Sequence, residues 1–324
     1  MDSILGDLRY AARHVLRRPG FSALAVLTLA VGIGINAVAF DAVNALLFHP
    51  FTFKGVERLG WIMLATPGNP HGQVSAAEFA ALKDNSRAFE VVAAEGRMPL
   101  GMMVDGRAEQ VWSLLVTGGY FRVLGSRAAA GRLLDDSDAT RDDLVAVVSY
   151  TFWRTRLNGA SLAGQTLTIA NRSVSIVGVL PEGFQGPGGL FAPDLWLPLE
   201  KSDALGVPRR RVTQDERWLT TIGRLAEGTT TARAEAELAS IATHLPAPPD
   251  VKDVRERKLG YFPMRDGHPE VRGLAPFVWI AMAVVGLVLL IACFNVTALL
   301  LARATERRRE IGIRTALGAG RWRI

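Results

Sequence analysis

Two stretches of this chain contain no charged residue, and their lengths restrict what the remainder can fold into. One covers residues 21–40 and the other residues 273–302. A helix rises about 1.5 Å per residue, so roughly 20 residues cover the ~30 Å hydrocarbon layer of a bilayer. Both stretches are long enough to span a membrane. The sequence therefore predicts two transmembrane helices, with everything between them forming a single loop large enough to fold.

The net charge of +6 would ordinarily raise nucleic acid as a partner, so the location of the charge decides the matter. Residues 1–20 carry Arg9, Arg13, Arg17 and Arg18 against Asp2 and Asp7. Residues 303–324 carry Arg303, Arg307, Arg308, Arg309, Arg314, Arg321 and Arg323 against Glu306 and Glu310. Without these ends the chain is close to neutral, and nucleic-acid binding loses its support. Basic ends outside two spans are what the positive-inside rule gives when both termini are cytoplasmic and the middle is exported. Arg209, Arg210 and Arg211 form the one internal basic run, read as a solvated loop. Ala37-Val38-Ala39 resembles a signal-peptidase site, but the helical pattern runs on through Leu46 and Leu47, which favours a retained span.

The exported region mixes strand-like and helix-like pieces, which points to a mixed α+β domain. Strands are expected at 61–66, 144–150, 166–169 and 174–179, the last two joined as a hairpin around Asn171-Arg172. Helices are expected at 76–82 with Ser75 as cap, at 151–157, and at 231–245 before Pro246. Residues 250–273 read as a strand or linker returning to the membrane. The sole cysteine, Cys293, lies in the second apolar stretch, so no disulfide framework supports this domain. Before the first span, residues 1–20 read as an amphipathic surface helix ended by a bend at Pro19-Gly20. Within the spans, Ala30 and Gly34 form a small-xxx-small pair, and Asn36 can hydrogen-bond between helices, so these three are the candidate helix-packing residues.

Enzymatic motifs are missing. None of the five lysines follows a glycine, so there is no Walker A loop to hold a nucleotide. Ser161 lies in Gly-Ala-Ser-Leu-Ala, but the expected order of helix, loop and strand around it is wrong for a nucleophile elbow. The five histidines are isolated from one another, with no metal-ligand spacing. No catalytic residue, cofactor or metal is expected.

The segment ACFNVTALLLARATERRREIGIRTALGAGRWRI, residues 292–324, reads as a helix that leaves the bilayer at Arg303 and turns along the cytoplasmic surface. Glu310 and Arg314 can pair at i, i+4, Ile313, Ala316 and Leu317 offer an apolar strip, and Gly318 suits a C-cap. This stretch resembles the segment after the second span in MacB/FtsX-type permeases of ABC transporters. The exported region resembles their periplasmic core domain at GGYFRVLGSRAAAGRLL (118–134), VVSYTFWRTRLNG (147–159), IVGVLPEGF (176–184), DLWLPL (194–199) and TIGRLAEGTTTARAEAEL (221–238). With its opening DLRYAARHVLRRPGFSALAVLTLAVGIGINAV, the chain most resembles the duplicated orphan permeases described in acidobacteria.

The resemblance implies residues 1–20 as a cytoplasmic amphipathic helix, 21–47 as span one and 48–273 as a MacB-like periplasmic core domain. Residues 274–302 would be span two, and 303–324 a coupling helix that starts an FtsX-like permease domain. Such permeases continue into further spans, so the chain is expected to be the N-terminal part of one. It would sit in a bacterial inner membrane with both termini cytoplasmic. A separate ABC ATPase subunit would dock on Glu310, Ile313, Arg314, Leu317 and Gly318, and its ATP hydrolysis would move the periplasmic domain, in efflux or mechanotransmission. A second permease half or a homodimer partner, and membrane lipid, are the other implied partners. Two other functions fit part of this pattern: a two-span sensor, and an FtsX-like regulator of cell-wall enzymes.

Overall fold

Proline lacks an N–H and has a helical φ, so it is well placed at the first position of a helix. Pro19 is the first described residue of helix α1, which runs unbroken from Pro19 to Leu47, with Gly20 inside it. The computed structural model describes residues 19–47, 53–104, 106–188, 192–212, 216–246, 257–269 and 275–316. The amphipathic helix expected over residues 1–20 lies almost wholly outside them. The chain divides into two units, one made of Met1–Phe48 with Gly273–Ile324 and the other of His49–Arg272.

The second unit is built on one mixed sheet. Its strands are β1 (Leu59–Thr66), β2 (Asn69–Gly72), β3 (Phe89–Val104), β4 (Arg107–Val116), β5 (Ala130–Gly131) and β6 (Val145–Val148). They are followed by β7 (Thr166–Ile169), β8 (Arg172–Val179), β9 (Leu195–Pro198), β10 (Leu219–Leu225) and β11 (Lys258–Pro263). The main path is β11-β1-β10-β3-β4-β9-β6-β8-β5, with β2 on β1, and β7 joining β3 to β8. Most neighbours are antiparallel; β4–β9 and β6–β8 are parallel. Four of the helices on this sheet are α2 (Ala76–Asn85), α3 (Tyr120–Leu124), α4 (Tyr150–Arg156) and α5 (Arg209–Val212). A fifth, α6, spans Thr231–Ala242.

Local chemistry explains several of these boundaries. Ser75 and Glu78 close a reciprocal capping box at the start of α2, and Ser149 and Thr230 cap α4 and α6 through their hydroxyls. The β7–β8 turn places Ala170 and Asn171 at φ of 49° and 61°, as a type I′ turn requires, one residue earlier than expected from the sequence. Both faces of the sheet are covered. On one, Phe79, Leu82, Leu238 and Ile241 of α2 and α6 pack on Ile62, Leu64 and Leu219. On the other, Tyr120, Phe121 and Leu124 of α3 pack with Trp61, Trp196 and Ile222.

The chain enters and leaves this domain on adjacent strands. β1 follows α1, β11 precedes the last helix, and the two pair antiparallel from Gly60↔Pro263 to Ala65↔Lys258. That last helix, α7, runs from Ala275 to Ala316, a length of 42 residues. The turn expected at Arg303 is not there, because residues 287–311 contain neither glycine nor proline to interrupt the backbone ladder. Among the described residues one helical segment, Pro276–Ala298, is long and apolar enough to cross a membrane; the apolar segment in α1, Val26–Asp41, is shorter.

Candidate functional site

Where two helices approach closely, the contact selects a residue without a side chain. Gly32 of α1 has this position: a Cβ there would stand 3.3 Å from Ala292 Cβ and 3.4 Å from Leu289 Cδ1 of α7. One turn further, the Asn36 amide donates to Gly32 O at 2.9 Å and, between helices, to Val285 O at 3.2 Å. The contact therefore combines close backbone approach with a hydrogen bond in an apolar setting. Asn36 lies at this contact, but Ala30 and Gly34 do not. Both are exposed, and Gly34 has nothing within 4 Å of where its Cβ would be. Two residues along a helix is about 200° of rotation, so the Ala30–Gly34 pair faces away from the Gly32–Asn36 side.

Along residues 26–40 of α1 and 277–301 of α7, the described large apolar side chains mostly point outward. Val38 is 70% exposed and Phe294 72%, whereas the second unit has only Met103 and Trp112 among the exposed large apolar residues described. Helical segments with apolar side chains exposed on this scale require lipid or a protein partner around them.

At its far end, α7 carries the residues expected to couple to an ATPase. Glu310, Ile313 and Arg314 all lie on the helix, with Ile313 exposed. Leu317 and Gly318 lie outside the described residues. The spacing of Glu310 and Arg314 puts their Cα atoms one turn apart on one side.

In the mixed domain, three polar joints tie distant segments together. Glu78, fully buried, accepts from Arg217 at 2.7 Å and from Arg257 at 3.2 Å, while also receiving the Ser75 N–H at 2.9 Å. Arg257 goes on to donate to the carbonyls of Leu245 and Pro246, just past the end of α6. Arg224 donates to Val123 O, Gly55 O and Lys54 O, clasping the segment through which the chain enters the domain. Tyr120 donates to Glu95 at 2.6 Å within the core. Burial pushes the Glu95 carboxyl above its ordinary range, against the downward pull of the Tyr120 hydroxyl and of Arg97. The Tyr120 phenol is pushed well above its own ordinary value by burial and by the adjacent Glu95.

Sequence reading identified none of these joints. Ser75-x-x-Glu78 was a readable capping signature, but Arg217 and Arg257 stand 139 and 179 residues from Glu78. Nor did it select Gly32, which shares the four-residue spacing to Asn36 that Ala30 has to Gly34. Among the described residues no cluster of three or more His, Cys, Asp or Glu is arranged to hold a metal.

A two-faced mixed sheet placed in the sequence between two long helices, one with a segment long and apolar enough to cross a membrane, defines a class: a folded module joined to a membrane-type helix. The model of the MacB-like periplasmic core domain matches residues 22–241, and that of the FtsX-like permease C-terminal region matches residues 282–324. The chain belongs to the MacB/FtsX-type permease family, through its MacB-like periplasmic core domain.

Among similar proteins is the macrolide export ATP-binding/permease protein MacB 2 of Aeromonas hydrophila subsp. hydrophila, 26% identical over 309 residues, or 92% of this chain and 43% of that protein. MacB of Escherichia coli is 28% identical over 212 residues, covering 63% of this chain and 30% of its own length. The chain thus spans less than half the length of either relative. A crystallised domain of a Porphyromonas gingivalis protein classed as a permease shares the fold, with a TM-score of 0.50 and 18% identity, over 67% of this chain and 95% of the domain.

Proposed function

We propose that the chain is the membrane permease part of a MacB-like ABC transporter, in which an ATPase on a separate chain drives movement of an exported domain. α1 and α7 both span the membrane in this reading, with both ends of the chain in the cytoplasm of a bacterial cell and residues 53–269 outside it. The end of α7, with Glu310, Ile313, Arg314, Leu317 and Gly318, is the contact for the ATPase. A second permease half, or a second copy, completes the transporter. The chain performs no chemistry itself; it transmits a displacement, in efflux or in control of an outer process.

The observation that carries this reading is the placement of β1 and β11. Each is the strand covalently nearest to one helix, and the two are hydrogen-bonded neighbours. Any relative shift of α1 and α7 is delivered to a single strand pair and through it to the sheet. Such a device works only if the ATPase binds two arrangements of the helices with different affinity.

Two measurements test the reading. Alkaline phosphatase inserted at the exposed Arg141–Asp142 loop is expected to be active, and the same enzyme fused after Ile324 inactive; the reverse pattern refutes the topology. Co-purification of the chain with an ABC ATPase encoded beside it is expected to be lost in Ile313→Asp. An undiminished yield of ATPase with that variant refutes the coupling site.

A further inference from the structure

Among the described residues of the mixed domain, the buried carboxyl groups are those of Glu78, Glu95 and Asp138. Glu78 and Asp138 each hold a guanidinium at full ion-pair distance, Arg217 at 2.7 Å and Arg132 at 2.6 Å. Glu95 does not: Arg97 Nη2 stands 3.7 Å away, and the close partner of the carboxyl is the Tyr120 hydroxyl. Of the buried acids it is therefore the one whose charge the surroundings compensate least.

Residues 181–188 lie against this group. The Phe184 N–H donates to Pro181 O at 3.1 Å in a turn, and the Phe184 ring packs 5.8 Å from Trp196, 6.0 Å from Phe53 and 6.2 Å from Phe121. That pins the middle of the segment. Beyond the pin, two glycines meet the two partners of Glu95. Gly186 is buried at φ 72°, and a Cβ on it would stand 2.8 Å from Tyr120 Oη. A Cβ on Gly188 would collide with Arg97 Nη2, which reaches the Gly188 carbonyl at 3.5 Å. Both groups that touch the carboxyl are thus covered by the same segment, at positions that have no side chain.

Few other groups act on this carboxyl. Thr220 of β10 and Val116 of β4 stand opposite Glu95 and carry no charge. Glu182, the ionisable residue of the segment, is exposed. Burial is the largest influence on the Glu95 carboxyl and pushes it upward, while Tyr120 and Arg97 pull it down. A group whose proton is held more tightly because it is covered favours, once ionised, the state in which it is uncovered; each unit of that shift is a factor of ten in the equilibrium. Arg97 adds to this. Its contact with the Gly188 carbonyl is at the outer limit of a hydrogen bond, and a charge-assisted bond to an ionised Glu95 is the stronger alternative.

We propose that residues 181–188 form a pH-responsive strap over Glu95, shut while the carboxyl is protonated and lifted from Tyr120 and Arg97 when it ionises. The strap is independent of the ATPase contact and of the helix pairing.

The test is hydroxyl-radical footprinting of the full chain in detergent, read by mass spectrometry at Tyr120 relative to the exposed Met103. Tyr120 is 0% exposed with the strap shut, so its labelling is low at pH 4.5, the ordinary carboxylate value, and is expected to rise several-fold as pH is raised. Glu95→Gln has no charge to gain and is expected to keep Tyr120 protected across the scan. Gly186→Ala drives a methyl group at Tyr120 Oη and is expected to raise labelling of Tyr120 at the acid end, where the parent is protected. This variant carries the test whether or not Glu95→Gln folds. The proposal is overturned if labelling of Tyr120 in the parent chain does not change with pH, if Glu95→Gln keeps the rise, or if Gly186→Ala leaves Tyr120 as protected as in the parent.

Discussion

Glu78 is the point at which the mixed domain is most exposed to a single substitution. Its carboxylate, fully buried, is shared by Arg217 and Arg257, and the Arg257 side chain is itself 0% exposed. Glu78→Gln preserves the shape and an acceptor for the Ser75 N–H but leaves a buried guanidinium without this anion. Removing one partner of a buried ion pair costs about 3–5 kcal/mol, and the retained amide oxygen puts the expectation near the lower end. In a domain of this size each kcal/mol lowers the melting temperature by about 2–4 °C, so a fall of roughly 6–12 °C is expected. The Arg217 side chain, by contrast, is 20% exposed, and its loss leaves Glu78 paired with Arg257. Arg217→Gln should therefore cost only about 1 kcal/mol. Urea unfolding followed by circular dichroism gives both values, with equal m-values required for the comparison. A loss below about 1 kcal/mol in Glu78→Gln, or a larger loss in Arg217→Gln, would show that the joint is not organised around the carboxylate.

Asn36→Leu removes the interhelical hydrogen bond to Val285 O and should loosen the helix pair by about 0.6 kcal/mol, at most ~1.7, detectable as reduced disulfide trapping between cysteines placed on α1 and α7. Gly178→Ala directs a methyl group at the backbone carbonyl of Arg132, which cannot yield as a side chain would; a loss of about 3 kcal/mol or more in denaturant unfolding is expected. Glu95 has a pKa raised by burial, so the folded state holds its proton to higher pH than the unfolded chain does. Its contribution is fully present below the ordinary carboxylate value of 4.5 and is lost as pH rises through the raised one. Glu95→Gln should flatten the melting temperature over that window, and an unchanged pH profile would contradict the assignment.

Much of the fold could be read locally. The apolar run Val145–Val148, the cap Ser75 and the β7–β8 turn each carry their own signal, and each lies within a residue or two of its expected place, whereas Ser149, expected within the strand, caps the next helix instead. The long β3–β4 hairpin was hidden because Gly96, Pro99 and Gly101 interrupt any strand pattern. The structure accommodates Pro99 by placing it between the part of β3 paired with β10, up to Gly96, and the part paired with β7, from Met102, so its missing N–H falls where only β4 is a partner. The polar joints were illegible for a different reason. Long-range pairs such as Glu78 with Arg257 depend on topology that no local window contains. The helix contact shows the same limit: two four-residue spacings of small or polar residues lay on different sides of α1. Only the reach of the Asn36 amide to the neighbouring helix decides between them.

The ladder between β1 and β11 also has a mechanical direction. Its two helix-side ends, Gly60 and Pro263, lie opposite one another, so tension separating them would peel the bonds in sequence from that end toward Ala65 and Lys258. Peeling loads one bond at a time and yields at low force. The structure reinforces the vulnerable end: the Tyr261 hydroxyl donates to Arg58 O at 3.1 Å, and Arg224 holds the Lys54 and Gly55 carbonyls just outside it. These bonds make the strand pair stiff against splaying at the very end where peeling would begin, so its resistance to unzipping rests on side chains as well as on the ladder.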